Sequence, residues 1–147
     1  MKKYKLITIY ILGSLYIFVG ISHFTNLDFF IIIMPEFIPY HLFFIYLTGF
    51  LEIIFGLMIF FKRSRFYGAW GIFILLILVF PANIHLYMSS HVQETLSITK
   101  LDALIRLPFQ IPLIILSFWH SKEFNSRFFN IFCSLIFIPT IIYFLTL

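Results

Sequence analysis

The chain has 147 residues, 62% of them apolar and only 11% charged, with a net charge of +4, whereas a soluble domain carries roughly 25% charged residues. Twenty-two phenylalanines exceed what the core of so short a soluble protein can bury, so the composition excludes a water-soluble domain and indicates a protein surrounded by lipid. The basic residues lie in short clusters between apolar runs, which is typical of membrane topology signals and not of a nucleic-acid-binding surface.

Five apolar runs predict an all-α membrane protein that forms a single transmembrane domain. A bilayer core about 30 Å thick requires roughly 20 residues of helix, and each run meets or approaches this length. The predicted spans cover residues 6–22, 42–61, 68–88, 103–119 and 128–147. The last of them contains Pro139, which neighbouring helices can accommodate by satisfying the freed backbone groups.

The first apolar run also has the features of a signal peptide. Lys2, Lys3 and Lys5 precede it, and the sequence 20–22 could serve as a cleavage site. However, the run is long enough to cross a bilayer and no soluble domain follows it. We therefore expect a helix that remains in the membrane.

The segment 24–40, between the first two spans, is unusual for a loop. Its residues 29–34 are all apolar, too many for a free loop and too few to span, and Pro35 and Pro39 then interrupt any helix. We predict an interfacial or partly re-entrant element that lies over the outer mouth of the bundle.

The positions of Lys and Arg predict the orientation of the chain. Eight of them fall in segments on one side of the predicted bundle, and only Lys100 falls in a segment on the other side. Because basic residues are retained in the cytoplasm, we predict a cytoplasmic N-terminus and a C-terminus on the far side. The eight are Lys2, Lys3, Lys5, Lys62, Arg63, Arg65, Lys122 and Arg127.

Five polar side chains lie within or at the ends of the predicted spans, where ionisable groups are costly and usually face the bundle interior. They are His23, Glu52, Asn83, Arg106 and Gln110. With a rise of about 1.5 Å per residue, they all fall in the outer half of the membrane, none deeper than about 15 Å. We therefore predict that they form one polar cluster, which lines a cavity that opens outward beneath the segment 24–40.

Glu52 and Arg106 are the sharpest pair in this cluster. Gly49 and Gly56 share the face of Glu52 and let another helix approach closely. Glu52 is too deep to reach the interface, and Arg106 is the only basic residue within a span, so we predict that they contact each other directly or through one water or ligand. A structural ion pair and a ligand site both remain open. Alternatively, Arg106 pairs with Asp102 one turn earlier, which leaves Glu52 protonated.

The remaining polar residues also have structural alternatives. Asn83 follows Pro81, and its side chain can satisfy backbone groups that the proline leaves free. His23 ends the first span and can be an interfacial anchor. His23, His85 and Glu52 are residue types that bind metals, but they lack the sequence spacing of a metal site, so none is predicted.

Six short patterns occur in a fixed order over roughly residues 4–120. They are Gly-x-x-His-Phe at 20–24, Met-Pro-x-x-x-Pro at 34–39, Gly-x-x-Glu-Ile-x-x-Gly at 49–56, Arg-x-x-x-Ala-Trp-Gly at 65–71, Phe-Pro-Ala-Asn-Ile at 80–84 and Arg-x-Pro-x-Gln at 106–110. Together they resemble the DoxX-like family of small bacterial membrane proteins.

This resemblance implies a four-helix transmembrane bundle in the bacterial inner membrane, to which the run 128–147 adds a fifth helix. The family's functions are diverse. They include subunits linked to thiosulfate oxidation with quinone and partners in oxidative-stress membrane complexes, and a fold alone cannot choose among them.

No catalytic constellation is apparent, because the chain has no nucleotide-binding loop, nucleophile elbow or zinc-protease motif. Its single cysteine, Cys133, excludes disulfide and dithiol redox chemistry within the chain and is interpreted as a small apolar side chain. We predict no catalytic residue, no metal and no cofactor.

Three functions remain open. The favoured one is a non-catalytic, multi-pass module that binds a small amphiphile or a partner subunit. The second is a membrane subunit of a quinone-linked oxidoreductase, in which Glu52, Arg106 and Gln110 hydrogen-bond a quinone carbonyl and another redox protein supplies the electrons. The third is a proton or small-solute transporter that uses Glu52, although no inverted repeat supports it.

Overall fold

A computed structural model describes residues 2–146, which form eight helices and no strand. The helices are α1 (Lys2–Thr25), α2 (Leu27–Ile33), α3 (His41–Phe60), α4 (Arg65–Leu78), α5 (Phe80–Met88), α6 (Ser90–Leu96), α7 (Lys100–Ser121) and α8 (Arg127–Leu145).

Five stretches are long and apolar enough to cross a membrane, and they coincide with the five predicted spans. They are Lys3–Thr25, His41–Phe60, Arg65–Met88, Lys100–Ser121 and Arg127–Leu145. The prediction of an all-α chain with five helices compatible with membrane spans is thus confirmed. The first and fourth of these stretches, which are α1 and α7, extend beyond the predicted ranges 6–22 and 103–119, because a helix continues past the hydrocarbon core into charged residues. Residue 147, the predicted end of the fifth span, lies outside the described residues.

The third span consists of two helices, α4 and α5. The helix is interrupted at Val79, whose amide donates back to Leu75 and Ile77. Pro81 follows in the first turn of α5, where its missing N–H removes a hydrogen bond that a continuous helix would make to Ile77. The predicted span over 68–88 is thus present, and Pro81 is the physical reason for the break within it.

The long helices form a bundle in which each packs against the next along the chain. α3 packs on α1, α4 on α3, α7 on α4 and α8 on α7, and α8 also touches α1. The core takes apolar side chains from all five spans, among them Leu12, Ile59, Ile72, Leu116 and Cys133, all of which are buried. Cys133 is a free thiol in this core.

Four glycines set the closeness of α1 and α3. Gly13 and Gly20 are seven residues apart on α1, as are Gly49 and Gly56 on α3. A Cβ at Gly20 would lie 2.7 Å from the Gly49 carbonyl oxygen, and a Cβ at Gly56 would lie 3.0 Å from the Gly13 carbonyl oxygen. The two backbones therefore touch, as small residues permit between helices in membranes.

We call the two ends of the bundle the α2 end and the basic end. The basic end carries the connections 61–64 and 122–126, between α3 and α4 and between α7 and α8. At the α2 end lie α2, the prolines of segment 24–40, and α6. α2 packs against α1, α3, α5 and α6, so the segment predicted to cover the mouth of the bundle contains a short helix that contacts both sides of it.

Candidate functional site

At the α2 end, His23 and Glu52 face each other across the α1–α3 interface. His23 Nε2 lies 3.3 Å from Glu52 Oε2, and both residues are buried, with 6% and 8% of their surfaces exposed. The contact depends on Gly49, because a Cβ there would lie only 2.5 Å from His23 Cβ. The glycine one turn before Glu52 thus makes room for the imidazole.

The hydrogen bonds of His23 show that its Nδ1 carries a proton. Its Nδ1 lies 3.0 Å from the Ile45 carbonyl oxygen and 3.3 Å from Thr48 Oγ1. A carbonyl can only accept, so Nδ1 carries a proton and donates. The other ring nitrogen, Nε2, is the one that faces Glu52 Oε2.

Two buried oxygens, one within this pair and one beside it, make no hydrogen bond. Glu52 Oε2 is near His23 Nε2 but is not aligned with it for a hydrogen bond, and the hydroxyl of Tyr16 on α1 also has no partner. Tyr16 is 4% exposed and within electrostatic reach of Glu52. Buried polar groups are normally satisfied by protein or by ordered water. The space around Glu52 thus retains unused hydrogen-bonding capacity.

Asn83 and Gln110 form a second pair, between α5 and α7. Asn83 Nδ2 donates to Gln110 Oε1 over 2.6 Å, and Gln110 Nε2 donates to the Leu76 carbonyl oxygen. Leu76 lies in the last turn of α4, just before the break at Val79. Gln110, which is 2% exposed, therefore satisfies backbone at the break, and Asn83 satisfies Gln110. Asn83 was predicted to satisfy backbone groups that Pro81 leaves free. In the structure Gln110 does this directly, and Asn83 contributes by its hydrogen bond to Gln110.

Arg106 stands apart from both pairs. Its guanidinium carbon lies 5.6 Å from the centre of the Phe29 ring on α2, within the range of a cation–π contact. Among the described residues it forms no ion pair, since the two ion pairs present join His23 to Glu52 and Lys62 to Glu123. The side chain is half-buried.

The direct contact predicted between Glu52 and Arg106 is therefore wrong. The glycine-mediated approach of α1 brings His23 to Glu52, while α2 places Phe29 against Arg106. The alternative pairing of Arg106 with Asp102 does not form either. Asp102 Oδ2 instead accepts from the backbone amide and the hydroxyl of Thr99, at 3.1 and 2.5 Å, in the capping box that begins α7. A contact of Glu52 and Arg106 through one water or ligand stays a prediction.

Two adjacent aromatic residues of α2 pack on His23 and on Arg106. Phe30 stacks on His23 with ring centres 3.7 Å apart, while Phe29 faces Arg106. The two phenylalanines contact each other edge to face at 5.3 Å. α2 therefore places one apolar ring on the imidazole that contacts Glu52 and another on the guanidinium of Arg106.

The predicted cluster is thus divided into two pairs and a single cation. His23 joins Glu52, Asn83 joins Gln110, and Arg106 contacts α2. An open groove of about 640 Å³ at the α2 end is lined by residues of the next connection and the start of α3, including Glu36, Tyr40 and Phe43. None of the five cluster residues lines that groove. Within residues 2–146, no group of three His, Cys, Asp or Glu is placed to bind a metal.

The structure contains a further polar cluster at the basic end, which was not predicted from the sequence. His120 Nε2 lies 3.0 Å from Thr8 Oγ1, and both residues are 1% exposed. Thr8 donates its proton to the Lys5 carbonyl, so the hydrogen of the pair comes from His120, whose Nδ1 is buried without a partner. Lys5 Nζ donates to the Lys122 carbonyl over 2.7 Å and lies over the Trp119 ring. The sequence signal that could have indicated this cluster is that Thr8 and His120 lie at the ends of two spans on the same side.

Over residues 12–121 the chain matches a protein family described as a domain of unknown function, DUF8561. The matched range includes all five residues of the predicted cluster and ends before α8. No curated protein and no solved structure matches the chain.

Proposed function

This chain belongs to the family DUF8561, and we propose that it is a non-catalytic membrane module that binds a small amphiphile, or a polar segment of a partner subunit, at its α2 end. One observation carries the proposal. Two groups able to bear opposite charges, Glu52 and Arg106, lie at the same end of the bundle without contacting each other. The aromatic rings of a single short helix pack on Arg106 and on His23, the residue that contacts Glu52.

The energetic argument starts from the cost of charge in a membrane. An ionised side chain near the centre of a helix in a bilayer costs roughly 2.5 kcal/mol or more. His23 can offset this cost for Glu52, whereas Arg106 has only the face of Phe29 and the option of snorkelling. A polar headgroup that reaches the guanidinium would remove the penalty, and its apolar tail would lie among the side chains that face lipid.

Our proposal includes a location and an orientation. The chain would lie in the inner membrane of a bacterium, with its N-terminus and the basic end in the cytoplasm. The eight Lys and Arg residues outside the spans on that side support this orientation. The α2 end, with His23, Glu52 and Arg106, would then face outward.

We also propose a relationship to the DoxX-like proteins. The six ordered patterns of the sequence support it, and α1, α3, the α4–α5 pair and α7 would be the four helices of that bundle. α8 would then be an addition specific to chains like this one. The fold resemblance alone assigns no ligand.

A quinone-linked oxidoreductase subunit is the second candidate. The contact between His23 Nε2 and Glu52 Oε2, two groups that can each carry a proton, favours it, because a quinone carbonyl that is reduced must take up a proton. Reduction of one quinone to the quinol consumes two electrons and two protons. A partner redox protein would have to supply the electrons, since this chain has one cysteine and hence no dithiol.

Native mass spectrometry of protein extracted in a gentle detergent tests both candidates. We expect the wild-type protein to retain a non-detergent adduct, and Glu52→Gln and Arg106→Gln to reduce its occupancy. Lys100→Gln, which removes a cation of the same end outside the site, should leave occupancy unchanged. Organic extraction and the ultraviolet spectrum of the extract identify a quinone.

The two candidates predict different extracts. A lipid or fatty amphiphile supports the binding module, and a quinone supports the oxidoreductase subunit. A wild-type protein that retains no adduct, or retains one equally in all variants, contradicts a ligand site at the α2 end.

A further inference from the structure

α8 contributes a side chain to the surroundings of Arg106. Tyr143, in the last turns of α8, stacks on Phe109 of α7 with ring centres 4.0 Å apart and an interplanar angle of 24°. Phe109 follows Arg106 by three residues, so the two share one face of α7. This stacking places Tyr143 beside the turn of α7 that carries Arg106.

Tyr143 and Arg106 are both donors without an acceptor. The hydroxyl oxygen of Tyr143 is buried and has no hydrogen-bond partner. Arg106 forms no ion pair or side-chain hydrogen bond with the described residues, and its guanidinium lies over the Phe29 ring. Asp102 is nearby, but its Oδ2 is occupied by Thr99. Two neighbouring unsatisfied donors, one of them cationic, are complementary to an oxyanion.

We propose that Arg106 and Tyr143 together bind the oxyanion of an amphiphile, a phosphate or a carboxylate, at the α2 end. The guanidinium and the phenol donate to the same oxyanion, and the Phe29 and Phe109 rings form its apolar walls. This inference rests on the proposed function and names the class of its ligand. It also gives a role to α8, which lies outside the range matched by the family.

The inference is tested with delipidated protein in a neutral maltoside detergent, by thermal unfolding at increasing ligand concentration. The probes are dodecyl phosphate, dodecanoate, dodecanol and inorganic phosphate. We expect the two anionic amphiphiles to bind about tenfold or more tightly than dodecanol, because hydrogen bonds to charged groups are the stronger ones. Inorganic phosphate, which has no tail, should have little effect.

The variants Arg106→Gln and Tyr143→Phe should each weaken binding of dodecyl phosphate by about tenfold and bring it close to that of dodecanol. Two matched controls should bind like the wild type. Lys100→Gln removes a cation of the same end, which lies over Tyr87. Tyr46→Phe removes the hydroxyl of another tyrosine stacked on a phenylalanine. Should Arg106→Gln not fold, Arg106→Lys keeps the charge but loses the fork of donors, and weaker binding is again expected.

The possible outcomes separate this inference from the function on which it rests. Equal binding of dodecanol and dodecyl phosphate overturns the oxyanion site but keeps an amphiphile-binding module. Equal stabilisation by inorganic phosphate keeps the oxyanion site but contradicts the amphiphile. Unchanged binding by both Arg106→Gln and Tyr143→Phe overturns the site, and no response to any probe overturns both proposals.

Discussion

His23 and Glu52 are joined across the α1–α3 interface, with Nε2 and Oε2 3.3 Å apart. The sequence pointed to a different partner for Glu52, because Arg106 carries a permanent charge and His23 stands at the end of its span. The glycines of α1 and α3 decide between them. They let the backbones touch, and an imidazole in the last turn of α1 then reaches Glu52, about three turns into the facing helix.

We predict strong coupling between His23 and Glu52 in a double-mutant cycle. Glu52→Gln or His23→Asn alone should destabilise the protein, by up to about 3–5 kcal/mol if the remaining partner stays charged and buried. The double variant should lose less than the sum. The free energy of unfolding in mixed micelles of sodium dodecyl sulfate measures the coupling.

The control for this cycle combines Glu52→Gln with Arg106→Met. In the absence of ligand their effects should add within about 0.5 kcal/mol, as expected for residues that share no contact. Additive effects of His23→Asn and Glu52→Gln would contradict the pairing of these two residues. A large coupling between Glu52 and Arg106 would instead restore the ion pair that the structure lacks.

The close approach of α1 and α3 predicts a cost for Gly49→Ala. The added methyl would lie 2.5 Å from His23 Cβ and 2.9 Å from the Gly20 carbonyl oxygen. Because backbone cannot move aside locally, we expect a loss of about 1–3 kcal/mol, as for overpacked cores. The same unfolding measurement checks it.

Gly71→Ala is the matched control, since its methyl would meet only the Phe55 ring, at 2.6 Å. A side chain can change its rotamer, so the loss should be smaller than for Gly49→Ala. Equal losses would mean that the α1–α3 backbones are farther apart than described here.

Gln110 should contribute more to stability than Asn83. Gln110→Leu removes the donor to the Leu76 carbonyl and also the acceptor for Asn83, whereas Asn83→Leu removes only the second bond. An unsatisfied buried polar group costs about 1–3 kcal/mol, so we expect Gln110→Leu to be the more destabilising by roughly that amount. Thermal unfolding in detergent compares the two variants, and a larger loss for Asn83→Leu would exclude this order.

Thr8→Val should destabilise the basic end. The substitution preserves volume but leaves the His120 Nε2–H without an acceptor in a buried position, at a cost of about 1–3 kcal/mol. Thr146→Val provides the control, because the Thr146 hydroxyl is exposed and bonds only to carbonyls of its own helix. Similar stabilities of the two variants would show that the Thr8–His120 contact contributes nothing.

The proposed topology predicts the activity of reporter fusions. A reporter that is active only in the cytoplasm should be active when fused after Arg127 and silent when fused after Leu147. Activity at both positions would mean that α8 does not cross the membrane. The measurement is independent of every contact inside the bundle.

The composition of the chain was sufficient to predict the helices. Apolar runs of membrane-spanning length can satisfy their backbone only as helices or closed barrels, and the five runs are indeed five helices. The break of the third span at Val79 was harder to predict from the sequence. Pro81 was visible in the sequence, but a proline in a membrane helix does not reveal whether the helix bends, breaks or continues.

The site was predicted less well than the fold, for a geometric reason. Depth along a span can be counted from the sequence, so His23, Glu52, Asn83, Arg106 and Gln110 were assigned to one end. The partner of each side chain depends on how helices rotate about their axes. The contacts of Phe30 with His23 and of Phe29 with Arg106 depend on the fold of segment 24–40, which no periodicity specified.

The hydrogen bond from Gln110 to the Leu76 carbonyl has a consequence for biogenesis. The chain emerges from the ribosome N-terminus first, so the α4–α5 span reaches the membrane before α7 has been synthesised. Until then the Leu76 carbonyl lacks the donor that α7 provides, and an unsatisfied backbone group in hydrocarbon costs several kcal/mol. The third span is therefore completed only by the fourth, and the two are expected to leave the translocation machinery as a pair.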